Sequence, residues 1–177
     1  MDESRGYVVL TAVGPDRPGL VNELSVLVGA AGANIEDSRM AILGGEFAVI
    51  MLLSGPPDAI DPTRNIGPQI EGQLGLRCLL KDTSPAHPPA DYLLYRIDVT
   101  GVDRPGIVHA IAGIFAGRNI NVASLESRLT YAPFSATPMF VLEAQLQVPS
   151  TTVLAEFRQD IAATCEEENL DFHLELA

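Results

Sequence analysis

The sequence predicts an α+β protein built from two tandem βαββαβ units, each with an antiparallel four-stranded sheet. The main observation is an internal repeat, because the octapeptide Gly14–Val21 (GPDRPGLV) returns as Gly101–Val108 (GVDRPGIV). Within each copy the apolar residues switch between a period of two and a helical period, and a proline-rich segment separates the copies. We therefore expect two small domains of the same kind.

The segment between the two copies predicts the domain boundary. Residues 85–90 (PAHPPA) combine prolines with small residues, a composition that favours a semi-extended linker. We expect domain 1 over residues 1–84, the linker over 85–90 and domain 2 over 91–177.

The second copy shows the order of elements most clearly, since strand-like alternation and helical spacing follow one another along the chain. The predicted elements are a strand around Tyr95–Val99, a helix over Ile107–Phe115, a hairpin of Asn121–Leu129 and Met139–Val148, a helix over Leu154–Cys165 and a strand over Phe172–Leu176. This order is that of the ferredoxin-like unit.

The first copy predicts the same order with two differences. Its hairpin turns at Gly44–Gly45, where positive φ is readily reached, whereas the second copy has a longer loop over residues 130–138. Its second helix is interrupted, because residues 58–74 contain Pro62, Gly67 and Pro68. We expect irregular structure there, followed by a short helix near Ile70.

The third strand of the first copy, residues 46–54 (EFAVIMLLS), is apolar on both of its faces. A sheet that is backed by helices on one side needs only one apolar face. The sequence therefore predicts that the second domain or another subunit covers the other side.

The composition excludes several classes of function. A formal net charge of −12 repels nucleic acid and anionic membranes, so we expect no direct nucleic acid binding. The longest apolar run, Phe47–Leu53, is far shorter than the roughly 20 residues of a membrane helix, so we expect no membrane partner. Cys78 and Cys165 lie far apart in sequence, which favours reduced thiols and a cytoplasmic location.

Each copy carries a second motif downstream of its Asp-Arg-Pro-Gly sequence. The pairs are Asp16–Gly19 with Gly32–Ile35, and Asp103–Gly106 with Asn119–Val122. The first motif lies between the first strand and first helix, and the second enters the second strand. In this arrangement the chain resembles the ACT domain family. The resemblance implies a ligand-sensing, protein-contacting module without catalytic machinery.

Longer stretches of the first copy resemble transcriptional regulators of that family, notably Thr11–Gly14, Asn34–Arg39 and Glu46–Gly55. This resemblance implies an amino-acid-responsive co-regulator that contacts a DNA-binding activator, with glycine as the signal. Two alternatives stay open, an effector sensor that regulates a metabolic enzyme and a ligand-free dimerisation module. ACT sheets commonly associate side by side, and we expect a homodimer.

The loop between the first strand and first helix has the chemistry to bind an amino acid. A helix N-terminus stabilises a carboxylate, glycine allows close approach, an Asp can meet an ammonium group, and an Asn offers both a donor and an acceptor. By resemblance, the ligand-binding residues are Asp16, Arg17, Gly19, Leu20, Val21, Asn34 and Ile35, with Asp103, Arg104, Gly106, Ile107, Val108, Asn121 and Val122 as the equivalent set.

The same loop also has a purely structural explanation. Pro in a first helical turn and Asp just before it are typical of any helix start, because Pro lacks the unpaired N–H and the carboxylate accepts one. Arg17 and Arg104 can hold an anion or pair with an acidic neighbour, and surface pairing is the favoured interpretation.

No pattern in the sequence indicates catalysis, a metal site or a cofactor. The spacing of His87, His109 and His173 does not suit a shared metal ion. Neither cysteine has a neighbour that would activate it, and no phosphate-binding glycine loop is present. We therefore expect a protein that is not an enzyme.

Overall fold

A computed structural model describes residues 5–84 and 91–177 of the chain. The chain divides into two compact units, Met1–His87 and Pro88–Ala177, called unit 1 and unit 2 below. The predicted linker, residues 85–90, lies outside the described residues.

Unit 1 is a four-stranded antiparallel sheet with its helices packed on one face. Its elements are β1 (Gly6–Pro15), α1 (Leu20–Ala30), β2 (Asn34–Leu43), β3 (Glu46–Gly55), α2 (Pro57–Thr63), α3 (Gly67–Leu74) and β4 (Arg77–Thr83). The strand order is β2-β3-β1-β4, and each neighbouring pair is antiparallel.

Unit 2 repeats this architecture. Its elements are β5 (Tyr92–Val102), α4 (Ile107–Gly117), β6 (Asn121–Tyr131), β7 (Pro138–Pro149), α5 (Leu154–Glu167) and β8 (Leu170–Leu176). The strand order β6-β7-β5-β8 is the equivalent of that in unit 1. The predicted α+β class with two ferredoxin-like βαββαβ units is confirmed.

Each unit has its own core between the sheet and the helices. In unit 1, Leu10, Leu24 and Leu53 are fully buried in it. In unit 2, the rings of Phe115 on α4 and Phe157 on α5 meet edge to face at 6.2 Å between centroids.

The prediction for residues 58–74 was wrong in its first half. Instead of irregular structure, the chain forms the helix α2, with Pro57 in the first turn, where its missing N–H costs nothing. Pro62 falls in the last turn, so it removes a single intrahelical hydrogen bond and the helix ends one residue later. The second half is confirmed, because α3 contains the fully buried Ile70.

The hairpin turns follow the glycine pattern of the sequence. Gly44 and Gly45 connect β2 to β3 with φ values of 62° and 84°, as predicted. After the first helix of each unit the chain also needs a left-handed residue, which is Gly32 with φ 85° in unit 1 and Asn119 with φ 56° in unit 2.

Strand β3 is apolar on both faces, as the sequence indicated. Phe47, Val49 and Met51 point towards the helices and are buried, whereas Ala48 and Ile50 on the opposite face are exposed. The helices of unit 1 therefore do not cover this second face, and its covering by another surface stays a prediction.

Within residues 5–84 and 91–177, no helix has both the length and the apolar character needed to cross a membrane.

The repeated octapeptide begins with a glycine because the first strand lies very close to the last strand there. A Cβ on Gly14 would lie 3.0 Å from the Gly75 carbonyl oxygen. A Cβ on Gly101 would overlap the Leu170 side chain and lie 3.0 Å from the Asn169 carbonyl oxygen. Both contacts include backbone atoms, so relief requires movement of the chain.

We expect Gly101→Ala to lower the free energy of unfolding by about 1–3 kcal/mol through overpacking. The matched control is Gly113→Ala in α4, where an added Cβ meets nothing within 4 Å. Because alanine is the better helix former, the control should be neutral or stabilising by up to about 1 kcal/mol. Urea denaturation of both variants checks this, and equal stabilities would contradict the close approach.

Candidate functional site

The loop that joins β1 to α1 is built on an unusual backbone conformation. The N–H of Asp16 donates to the Gly45 carbonyl at 2.9 Å, which fixes the end of the strand against the hairpin turn. Gly19 then adopts φ 96° as the N-cap residue, and α1 begins at Leu20. Only glycine reaches this conformation readily, so the chain can turn sharply from the strand into the helix.

Unit 2 has the same loop. The N–H of Asp103 donates to the Pro138 carbonyl at 3.0 Å, and Gly106 is the N-cap residue with φ 101°. Helix α4 begins at Ile107, whose side chain is buried, as is that of Leu20 in unit 1.

This geometry corrects the structural explanation of the motif. Asp16 precedes the N-cap by three positions, and the first turn of α1 receives no side-chain cap. Pro18 likewise precedes the helix and does not occupy its first turn. The first backbone N–H groups of the helix are therefore left available, as they are in unit 2.

A cavity of about 710 Å³ opens beside this helix start in unit 1. It is lined by Asp16, Arg17, Pro18, Gly19, Leu20, Val21, Asn22, Ser25, Met40, Ile42 and Phe47. Three of the apolar residues that line the cavity are solvent-exposed, Val21 to 45%, Met40 to 52% and Ile42 to 53% of their surface. The cavity thus combines a polar end at the loop with an apolar side formed by α1 and β2.

Arg17 is engaged by an acidic neighbour. Its two terminal nitrogens donate to the two carboxylate oxygens of Glu23, both at 2.7 Å. The hydrogen bond raises the pKa of Arg17 and lowers the pKa of Glu23. In unit 2, Arg104 pairs with Glu168 at the end of α5. Surface pairing of both arginines, the favoured interpretation, is confirmed.

Asp16 has no corresponding partner. Its carboxylate takes part in no hydrogen bond and no ion pair with the described residues, although its backbone is held firmly. The carboxylate lines the cavity, next to the start of α1. A cation in the cavity would therefore find an available negative charge.

The structure separates the predicted Asn residues from the loops. Asn34 pairs with Ser54 and Ile35 with Leu53, whereas Asp16 lies beside Gly45 at the other end of the hairpin. At about 3.3 Å per residue, the two ends of β3 are roughly 30 Å apart. One small ligand cannot touch both, so the expectation that Asn34 and Ile35 join the loop in a single site is corrected.

The same separation holds in unit 2. Asn121 pairs with Gln147 at the end of the sheet away from the loop, and its side-chain amide donates to the Gln147 side chain at 2.7 Å. Val122 packs against the core. Of the predicted residues, those brought together are Asp16, Arg17, Gly19, Leu20 and Val21 in unit 1, and Asp103, Arg104, Gly106, Ile107 and Val108 in unit 2.

Six residues that line the cavity were not predicted from the sequence, and two of them lie on the second strand; the six are Pro18, Asn22, Ser25, Met40, Ile42 and Phe47. Met40 and Ile42 face the same side of the sheet as the buried Val49 and Phe47, with which they pair. They lie beyond the part of the sheet that α1 covers, so they stay exposed. Met40 and Ile42 are two residues apart on a strand, so the sequence already indicated that their side chains share one face of the sheet.

Asn34 instead belongs to a polar cluster around a β-bulge. The register shifts between Ile35 and Asp37, and the bulged residue Glu36 accepts hydrogen bonds from the Ser54 hydroxyl and from the Asn34 amide. Arg5 donates to the Ser54 hydroxyl at 2.9 Å and lies 3.6 Å from Glu36. The hydrogen bonds from Ser54 and Asn34, with the charge of Arg5, lower the pKa of Glu36.

Neither thiol is prepared for nucleophilic chemistry. Burial raises the pKa of Cys78 and of Cys165 to about 11 in each case, so both are protonated near neutrality. Across the described part of the chain, no three His, Cys, Asp or Glu side chains gather where they could hold a metal ion.

Residues 6–75 and residues 95–162 each match the ACT domain family. The glycine cleavage system transcriptional repressor of Escherichia coli (strain K12) is 34% identical over 168 residues, covering 94% of this chain and 87% of that protein. The chain belongs to the ACT domain family. Units 1 and 2 are its first and second ACT domains. A repressor of the same name from Shigella flexneri matches to the same extent.

Two solved structures share the tandem ACT fold. A protein of unknown function from Galdieria sulphuraria has 27% identity and a TM-score of 0.81, covering 98% of this chain and 99% of that chain. A structure described provisionally as a glycine cleavage system transcriptional repressor has 32% identity and a TM-score of 0.74, covering 98% of both chains. Both curated relatives and the second of these structures thus carry the name of a transcriptional repressor.

The Glu36 cluster predicts a pH dependence of stability. Because the pKa of Glu36 is lowered on folding, its ionised form stabilises the fold above the ordinary value of 4.5, and this contribution is lost as the pH falls through the lower folded value. Glu36→Gln should therefore lower the Tm at pH 7 and show a shallower further loss between about pH 5 and pH 3.

Thermal unfolding across this pH range checks the expectation. Ser54→Ala, which removes a hydrogen bond to the carboxylate, should also make the slope shallower. Glu167→Gln is the charge-matched control, since Glu167 forms no ion pair with the described residues. Parallel curves for wild type and Glu36→Gln would contradict the role of the cluster.

Proposed function

We propose that the protein is an amino-acid-responsive regulator that binds its ligand at the loop of the first ACT domain. The observation that carries this proposal is the combination of an uncapped helix start, an unpaired Asp16 carboxylate and a cavity of about 710 Å³ between them. An α-amino acid has the complementary pair of charges at a short fixed separation.

The chemistry of binding follows from the geometry of the loop. The ligand carboxylate accepts hydrogen bonds from the first N–H groups of α1, where the helix dipole also favours negative charge. Gly19 lets the ligand approach the backbone without a Cβ in the way. Asp16 receives the ammonium group, and any side chain of the ligand lies towards Val21, Met40 and Ile42.

The second ACT domain offers an equivalent loop with a different surrounding. Asp103 and Gly106 repeat the polar end, and Val108 is 41% exposed. The strand positions equivalent to Met40 and Ile42 are Ser127 and Leu129, so the side wall is less apolar. We propose the first loop as the principal site.

Regulation, in this proposal, passes through a protein partner. The named relatives are transcriptional repressors, and a net charge of −12 disfavours direct contact with DNA phosphates. The protein then acts in the cytoplasm as a homodimer and co-regulator that contacts a DNA-binding activator, with no catalytic activity of its own. Glycine is the first ligand to test, because the relatives carry the name of the glycine cleavage system.

A thermal-shift panel tests the ligand site. Glycine, serine, valine and isoleucine at millimolar concentration are each compared with buffer, and a binding amino acid raises the Tm, since a ligand at 100 times its Kd stabilises the folded state by about 2.7 kcal/mol. Asp16→Asn should remove most of this shift, because the ammonium loses its counter-charge.

Asp103→Asn is the matched control in the second domain and should retain the shift. If Asp103→Asn abolishes the shift and Asp16→Asn does not, the ligand binds at the second loop and the assignment to the first loop is wrong. An unchanged Tm with every amino acid would contradict ligand sensing and favour a ligand-free module.

Affinity purification from the native host tests the partner. The tagged protein should recover a DNA-binding activator, in an amount that changes on addition of the amino acid that raises the Tm. Recovery of a metabolic enzyme in place of the activator would support the alternative of an enzyme effector sensor and overturn the transcriptional role.

A further inference from the structure

The first ACT domain exposes an apolar sheet face on the side away from its helices. This open face consists of alternate residues of the two central strands and of β4. Its apolar centre is formed by Val9, Val13, Ile50, Leu52 and Leu79 around Thr11. Val13 is 43% exposed, Ile50 48% and Leu79 67%.

The second ACT domain supplies an internal comparison, because its register identifies the equivalent positions. In the first domain the central residue Thr11 is flanked by Ile50 and Leu79. In the second domain the equivalent residue Asp98 is flanked by Glu143 and His173. In the same way Arg96, Thr100 and Gln145 take the places of Val9, Val13 and Leu52. The same fold therefore has a polar, solvent-compatible face in one copy and an apolar face in the other.

The apolar face is close in size to the functional patches of soluble proteins. Three rows of residues across four strands about 4.8 Å apart cover roughly 400 Å² in plan, of which the eight uncharged positions take about two thirds. The largest apolar patch on a soluble protein is about 300–600 Å² and is often functional. Polar groups surround this one, with Asp37 and Arg39 on one edge and Arg77 and Lys81 on the other.

One row of the face is self-complementary in charge. It runs Asp37, Leu52, Val9, Lys81, so it carries an acid at one edge and a base at the other with apolar residues between. Asp37 also forms an ion pair with Arg39 of its own chain. We propose that two copies of this chain pack through the open faces of their first ACT domains, related by a twofold axis parallel to the strands. Such an axis sets β2 of one copy against β4 of the other at the same level.

The contacts follow from the register. Asp37 of each copy meets Lys81 of the other, Leu52 meets Val9, and Ile50 meets Thr11. Sheets packed in this aligned way lie about 10 Å apart with interdigitating side chains. The proposed dimer joins the open faces of the two sheets and does not use the hydrogen-bonding edges of strands β2 and β4.

The remaining cations of the face lie at its rim. Arg39 comes to lie over Leu79 of the second copy, and Arg77 over Ala41. Long basic side chains cover apolar atoms with their stems while their charged groups stay in water. Neither cation is therefore buried without a partner.

The inference rests on the homodimer of the proposed function and is independent of ligand binding. Analytical ultracentrifugation of the full chain tests it, with a dimer expected at micromolar concentration. Ile50→Glu should weaken this dimer at least about tenfold, since it replaces a central apolar contact by a carboxylate whose neighbouring cation is Arg39 on the adjacent strand. The substitution suits the fold, because Glu143 occupies the equivalent position in the second domain.

Gln145→Glu is the matched control, because it adds the same charge at an exposed position on the equivalent face of the second domain. It should leave the dimer unchanged. Circular dichroism and thermal unfolding of both variants establish that the fold is retained.

A charge exchange tests the twofold arrangement. Asp37→Lys and Lys81→Asp should each weaken the dimer about three- to tenfold, since each breaks the two exposed ion pairs between the copies. The double variant should regain affinity over Asp37→Lys, which also loses the Asp37–Arg39 pair within each chain. If the double variant dimerises no more tightly than the single variants, the proposed twofold arrangement is wrong.

The remaining outcomes are distinct. A wild-type monomer would refute both the homodimer and this interface, and would indicate that another surface covers the face. A dimer that survives Ile50→Glu would refute the interface alone.

Discussion

The left-handed backbone of Gly19 and Gly106 is the constraint on which the arrangement of each domain depends. A strand must end, turn and become a helix that packs back onto its own sheet within a few residues, and φ values of 96° and 101° make this possible at a position without a Cβ. The same conformation places the N-cap on a residue that has no side chain to accept the first N–H groups of the helix. The turn that completes the fold thus also leaves the first N–H groups of the helix without a side-chain acceptor, and the proposed ligand site depends on this feature.

The fold could be predicted well from the sequence because its signals are local. Alternation predicted the strands, helical spacing predicted α1, α4 and α5, and Gly44–Gly45 predicted the hairpin. The error at α2 arose because a proline pattern was taken to break a helix, whereas proline costs little in a first turn and removes only one hydrogen bond in a last turn.

The candidate site was less predictable because it depends on contacts between distant parts of the sequence. Motifs that follow one another in sequence suggested that Asn34 joins the loop, but an antiparallel sheet places the start of β2 far from the end of β1. The residues that do complete the cavity, Met40 and Ile42, come from the other end of the same strand. Their role depends on where α1 stops covering the sheet, which no local pattern specifies.

The two copies show which features the fold itself requires. Both keep the tight strand contact at Gly14 or Gly101 and the left-handed glycine, so these features satisfy geometric needs of a single domain. The sheet face away from the helices has no such need, because Arg96, Asp98 and Glu143 form a charged network there in the second copy. The second copy folds with this polar surface. The architecture therefore does not require the apolar residues Val13, Ile50 and Leu79 that the first copy exposes. An exposed apolar surface that the fold does not need is explained by a contact outside the domain.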